Sequence, residues 1–164
     1  MKHIISVLVN NQAGVLSRVS GLFSRRGFNI DSLAVGTTNI PEISRMTIVV
    51  NGDDNIIDQV QKQLAKLVDV IKVVRLDAEN SVSRELALIK VRADTSVRSE
   101  IMQIAEVFRA NIIDISKDTL TIEVSGSSKK AEAMYEMLRP FGILEDARTG
   151  LLSLERGAKT ILDE

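Results

Sequence analysis

The feature that most constrains this chain is a change of hydrophobic period that runs the same course twice. A short β-rich run, Ile4 to Val9, stops at Asn10-Asn11. After Gly14, Val15, Leu16, Val19, Leu22 and Phe23 recur at helical spacing. Arg25-Arg26-Gly27 supplies positive charge for a helix C-terminus and a glycine for a left-handed cap, so a second strand is predicted to begin near Asn29. Leu33 and Val35 alternate with polar neighbours up to Gly36. Met46, Ile48 and Val50 alternate again beyond Asn39-Ile40-Pro41-Glu42, which predicts a hairpin with a long tip. Asn51-Gly52-Asp53-Asp54 then breaks the chain and offers an N-cap to a helix carrying Ile56, Val60, Leu64 and Leu67, and Val70 to Leu76 predicts a fourth strand.

From Leu86 the same grammar returns. A strand to Val91 is followed by a helix with Val97, Ile101, Ile104, Ala105 and Phe108, then by strands Ile112 to Ile115 and Leu120 to Val124. Ser127 or Ser128 caps a helix with Ala131, Met134 and Leu138 that Pro140 helps to stop, and Ile143 to Ala147 is the last predicted strand. The order β-α-β-β-α-β in each half predicts an α+β chain with two ferredoxin-like (βαββαβ) domains in tandem, each sheet covered on one face by two helices and open on the other. The expected boundaries are 1–77 and 84–157, with polar Asp77 to Ser83 as a linker and 158–164 as a tail. No residue-level identity links the halves, and the segment from Gly150 carries no strong period.

Composition narrows the functions available. Lys plus Arg number 21 against 22 Asp plus Glu, a net charge of −1, which leaves no positive field to drive release of counterions from a nucleic acid. With no cysteine there is no disulfide framework, thiolate metal site or thiol catalyst, and a reducing compartment, the cytoplasm, is expected. The six residues Ile4 to Val9 are too short for a signal-peptide core or a membrane span, so neither export nor a membrane is expected. Four Phe, one Tyr and no Trp supply few stacking surfaces, which favours a small aliphatic ligand over a flat one. The single histidine, His3, reads as structural, and Asp53-Asp54 sits where a helix cap belongs. Glu145-Asp146 has no sequence neighbour to complete a site, so no catalytic residue and no metal ligand is assigned.

One segment has the composition of a binding loop. Asn10 to Val19 is a polar turn ending at a glycine that opens a helix. Its orphan amides and the helix dipole favour a carboxylate by about 0.3 to 1 kcal/mol, and up to about 2 kcal/mol when partly buried. An α-amino acid needs donors, acceptors and an apolar pocket together. Asn11, Ala13 and Gly14 would supply the first, Asn29 acceptor and donor atoms, and Val15, Leu16, Ile30 and Val35 an aliphatic wall. The plain alternative is that Asn11 and Gly14 make a good turn and helix start and nothing more.

The run from Asn11 to Leu33, NQAGVLSRVSGLFSRRGFNIDSL, closely resembles the opening of the small, regulatory subunit of acetohydroxyacid synthase (acetolactate synthase). Ser44 to Thr47, Lys62 to Leu64, Lys66 to Val70, Arg84 to Leu86, Phe108 to Ala110, Ile113-Asp114 and the tail around Leu154-Glu155-Arg156-Gly157 extend that resemblance over essentially the whole chain. It implies an N-terminal ACT domain followed by a second ferredoxin-like domain, with homodimers formed through the ACT domains and a feedback amino acid bound where they meet. By this resemblance Asn11 to Leu16 of one chain and Asn29-Ile30 of a facing chain would hold valine or another branched-chain amino acid, and Gly36 would lie near the pocket, its minimal side chain leaving room for a bulkier effector. It further implies a non-catalytic chain without cofactors that regulates a separate catalytic (large) subunit carrying thiamine diphosphate, magnesium and FAD. The hairpin tip Thr37 to Arg45, apolar at Ile40 and Ile43, is a candidate docking surface for that subunit or an ordinary solvated turn. The competing function is a stand-alone ACT-type amino-acid sensor or transcription regulator, against which stands the lack of a helix-turn-helix or basic arm.

Overall fold

A computed structural model describes residues 1–163 of the chain; Glu164, the last residue of the expected tail, lies outside the described residues. The described residues divide into two compact units, one made of Met1–Ser83 with residues 151–163, the other of Arg84–Gly150. The order within the first is β1 (Lys2–Asn10), α1 (Val15–Arg25), β2 (Ile30–Thr37), β3 (Ile43–Asn51), α2 (Asp54–Ala65) and β4 (Val70–Leu76). Its sheet runs β2-β3-β1-β4 with every neighbouring pair antiparallel. One face carries Ile5, Val7, Val9, Met46, Ile48 and Val50 against Val15, Val19, Leu22 and Phe23 of α1 and Ile57, Val60 and Leu64 of α2. Period-2 residues meet period-3.6 residues there, which is what makes the two-layer stack possible.

Local chemistry sets the helix ends. Gly27, at φ 70°, closes α1: its N–H donates to Ser24 O at 3.2 Å and the Phe28 N–H to Phe23 O at 2.9 Å, while the rings of Phe23 and Phe28 meet edge to face at 6.4 Å. At the start of α2 the Asp53 carboxylate accepts from the Ile56 N–H at 2.9 Å, the cap that the sequence offers.

The second unit repeats the plan with most of β5 (Ser81–Arg92), α3 (Arg98–Val107), β6 (Asn111–Ile115), β7 (Thr119–Gly126), α4 (Ser128–Leu138) and β8 (Ile143–Arg148), in the sheet order β6-β7-β5-β8. Its core joins Ala87, Ile89, Val91, Leu120, Ile122 and Val124 to Ile101, Ala105, Met134 and Leu138. Helix α3 ends as α1 does, with Arg109 N–H to Glu106 O at 3.0 Å and Ala110 N–H to Ala105 O at 2.8 Å, but here an arginine at φ 52° occupies the left-handed position. A side chain at such a position costs about 1 kcal/mol against glycine. Arg109→Gly is therefore expected to raise the free energy of unfolding by about that amount, visible as a higher urea midpoint at unchanged slope.

Three features of the segments outside the two helical layers leave no period in the sequence. Asp77 to Ser83 is not a free linker, because β5 begins at Ser81 and pairs with a further strand, β9 (Leu152–Glu155). The segment from Leu151, including residues expected in the second domain and in the tail, packs with the first unit. The outer face of the first sheet is consequently covered rather than open: Ile161 packs on Leu8, Val74 and Leu76, and Ser6, Thr47 and Val49 are buried with them. Besides the β9–β5 ladder, four hydrogen bonds join this segment to the rest of the unit. The Leu151 N–H donates to Ser32 Oγ (3.1 Å), Arg45 Nη2 to Ser153 O (3.3 Å) and the Arg156 N–H to Asn80 O (2.8 Å), and the Ser83 and Ser153 hydroxyls share a bond of 2.8 Å. The sequence hid this because β9 is short and the anchor is one isoleucine, too little apolar repetition to register as a period.

Candidate functional site: the glycine-opened end of helix α1

Gly14 is the N-cap of α1 at φ 86°, and no side chain caps the helix. The polypeptide leaves the end of β1 through Asn10, whose N–H donates to Asp69 O at 2.8 Å, and turns with Gln12 N–H to Asn10 O at 3.0 Å. Val15 N–H reaches Gln12 O at 3.4 Å and the helical ladder starts at Arg18 N–H to Gly14 O at 3.0 Å. Among the described residues the N–H groups of Ala13, Gly14, Leu16 and Ser17 have no acceptor, and all four residues are exposed. These are the orphan donors of a helix start, at the positive end of the dipole.

The neighbouring side chains take roles that differ in part from those expected. Asn11 is turned to the hairpin: its side-chain amide donates to Pro41 O at 3.0 Å and its N–H to Glu42 O at 2.8 Å. The tip between β2 and β3 is therefore built, not idle, with Thr38 Oγ1 donating to Ile43 O at 2.9 Å and Ile40 half exposed. Val15 is a core residue, 3% exposed, and cannot line a surface pocket, whereas Leu16 and Val35 are each 47% exposed and free to do so. Ile30 is half-buried against the helical layer, and Asn29 is exposed with its amide donating to Asp31 Oδ1 at 3.3 Å.

Two residues that bear on the site escaped the sequence reading. Arg18 donates through Nε to Asp69 Oδ2 at 2.7 Å, and its Nη2 bonds the same oxygen. A Cβ at position 14 would stand 3.0 Å from Arg18 Nη1, so glycine there serves both the backbone turn and the seat of this guanidinium. The signal was in the sequence: Arg18 lies four residues beyond Gly14, one helical turn on.

Register separates the remaining candidates. Val35 pairs Met46, Gly36 pairs Arg45 and Thr37 pairs Ser44, while β1 sets Val9 beside Ser44 and Asn10 beside Ile43, so Val35 and Gly36 lie at the loop's end of the sheet. Ile30 pairs Val50, which pairs His3, at the opposite end. Six residues of strand separate the two levels, about 20 Å, so within one chain Asn29 and the loop cannot hold one small molecule. Strand β2 is the sheet's edge, and a Cβ at Gly36 would meet nothing within 4 Å. Among the described residues no group of three or more His, Cys, Asp or Glu side chains could hold a metal ion, and no helix is long and apolar enough to cross a membrane.

Comparison with known proteins assigns both units to one family. The family described as "AHAS small subunit-like ACT domain" matches residues 5–72 and the family described as "Small subunit of acetolactate synthase" matches residues 84–157. The acetolactate synthase small subunit of Mycobacterium bovis is 55% identical over 97% of this chain and 95% of its own length. A probable acetolactate synthase small subunit of Archaeoglobus fulgidus is 54% identical over 97% and 99%. The crystal structure of the acetolactate synthase small subunit from Thermotoga maritima superposes with a TM-score of 0.91 at 45% identity, covering 97% of this chain and 99% of that one. With the uncapped helix start lying in an N-terminal ACT domain and a second ferredoxin-like domain behind it, the chain belongs to the acetolactate synthase small subunit family.

Proposed function

We propose that this chain is the regulatory subunit of acetolactate synthase, stimulating a separate catalytic subunit and conferring feedback inhibition by valine or another branched-chain amino acid. The observation that carries the reading is the set of unpaired amides at the start of α1, beside an unpaired sheet edge. A carboxylate placed there receives charge-assisted hydrogen bonds and the favourable end of the dipole. Leu16 and Val35 offer apolar contact at the same end.

The second half of the pocket comes from a second copy. If two β2 edges pair antiparallel across a two-fold axis, Ile30 of one chain falls opposite Thr37 of the other, since the strand runs from Ile30 to Thr37. Asn29 of one copy then reaches the loop of its partner and supplies acceptors for an ammonium group. Pairing also relieves the exposed edge, which otherwise presents a row of unpaired backbone groups. In this arrangement the effector bridges two chains and biases the geometry of the dimer. It withdraws stimulation only by the difference of its affinity for the two states, commonly about 1 to 3 kcal/mol. One methylene in such a pocket is worth about 1 to 3 kcal/mol, so valine, leucine and isoleucine compete with overlapping affinities. The catalytic chemistry, with thiamine diphosphate, magnesium and FAD, belongs to the partner.

The test is reconstitution. Mixed with the catalytic subunit, the chain is expected to raise acetolactate formation several-fold and valine to reverse the gain, and titration calorimetry of the chain alone should show saturable heat with valine. Absence of stimulation, or of any heat with all three branched-chain amino acids, would reject the reading. A sensor that acts on DNA instead would reveal itself by retention of labelled DNA on filters, which the net charge of −1 disfavours.

A further inference from the structure

The segment that closes over the outer face of the first sheet is seated in an unusual way. Its apolar anchor is slight, Ile161 on Leu8, Val74 and Leu76, whereas the contact surface is largely polar: Ser6, Thr47, Ser81 and Ser153 are buried there together with the half-buried Arg45. Four of its buried polar atoms, Ser6 Oγ, Ser81 Oγ, Arg45 Nε and Glu155 Oε2, have no hydrogen-bond partner among the described residues. Burial lowers the Arg45 guanidinium from its ordinary value, and the charge of Glu155 offsets this only in part. Each such group regains water when the cover lifts, so closure forgoes hydration that opening restores. A cover held by one isoleucine, the short β9 ladder to β5 and four further hydrogen bonds opens at lower cost than the cores beneath it.

Its attachment points lie on the strands that frame the candidate site. Ser32 is on β2, between Ile30 and Val35, and Arg45 is the cross-strand partner of Gly36. A displacement of β2 therefore moves the acceptor of the Leu151 N–H, and that residue follows directly on Gly150, the last of the second unit.

We propose that the segment 151–163 is a reversible strap, seated on the first sheet through Ser32 and Arg45, whose opening is governed by the state of β2 and so reports occupancy of the effector site. The link to the effector rests on the reading under Proposed function; the strap as an independently opening element does not. A bound effector holds β2 in place, and whatever needs β2 in order to stay closed is stabilised with it.

Hydrogen–deuterium exchange on the full chain tests both parts. Without effector, amides of Leu151 to Ile161 are expected to exchange at least about 100-fold faster than those of β1 and β3. Two small substitutions should move the strap in opposite directions. Ser32→Ala removes the acceptor of the Leu151 N–H and should speed strap exchange about fivefold, whereas Ser6→Ala removes a hydroxyl that is buried unpaired on the sheet face where Ile161 packs and, if the strap covers it, should slow exchange by a similar factor, with the core rates unchanged. Valine at saturation should slow strap exchange several-fold in the wild type and less in Ser32→Ala. Strap amides that exchange with the core, or both substitutions acting in the same direction, would overturn the strap. An unchanged strap rate in a sample where calorimetry shows valine bound would overturn its link to the site, whereas no bound valine at all would point to failure of the effector reading, with the strap still decided by the two substitutions.

Discussion

Gly14→Asp is expected to abolish the response to valine while leaving stimulation of the catalytic subunit intact. Three effects act together. The residue sits at φ 86°, where an L side chain costs about 1 to 2 kcal/mol. The new Cβ would press on Arg18 Nη1 at 3.0 Å and unsettle the guanidinium held by Asp69. The added carboxylate would itself occupy the unpaired amides of Ala13, Leu16 and Ser17 and repel the acid group of the effector. Calorimetry should show affinity reduced by at least about 100-fold, the sum of strain, lost donors and like-charge repulsion. Gly14→Ala carries the strain and the contact with Arg18 but no charge, and should fall between. Wild-type affinity in Gly14→Asp would show that the helix start is not the binding site.

The largest stability effect is expected in the second unit, at Arg148. Its guanidinium reaches Glu85 at 2.5 Å and Glu132 at 2.9 Å and lies 5.1 Å from the ring centre of Tyr135, whose hydroxyl donates to Asp146 at 2.6 Å. Glu85 is only 6% exposed, so it depends on this partner. Burial pulls the Arg148 guanidinium down, but the hydrogen bonds and charges of Glu85 and Glu132 outweigh it and hold it above its ordinary value. Arg148→Met would leave the Glu85 carboxylate buried and unpaired, a loss of about 3 to 5 kcal/mol. The chain has one Tyr and no Trp, and Tyr135 lies in the second unit, so tyrosine fluorescence during urea unfolding reports that unit alone. A shift of the fluorescence midpoint with valine affinity retained is the expected outcome. Adding Glu85→Gln should recover much of the loss, because a neutral amide needs no cation. A midpoint within about 0.5 kcal/mol of the wild type would mean that Glu85 finds solvent or another cation.

The two helical layers were legible because their signals are local and repeated. Val15, Val19, Leu22 and Phe23 return once per helical turn, Met46, Ile48 and Val50 every second residue, and Asp53 and Gly27 mark helix ends by chemistry confined to a few neighbours. A pattern of that kind survives whatever the rest of the chain does. The site was legible only in part. Gly14 was readable as a helix start and Leu16 as part of an aliphatic wall, but the sequence could not say that Asn11 would be spent on the hairpin tip or that Val15 would be sealed in the core while Leu16 stays exposed.

By itself, then, the amino-acid order determined the twofold β-α-β-β-α-β plan, the places where helices begin and end, and the uncapped glycine turn that exposes four amides. Tertiary structure alone decided that Asn29 stands about 20 Å along the sheet from that turn, that Arg18 is pinned by Asp69, and that the last residues fold back over the outer face of the first sheet. The reason is sequence distance. Arg18 meets Asp69, Ser32 meets Leu151 and Leu8 meets Ile161 only after the intervening chain has folded, and none of these pairings leaves a period in the residues between.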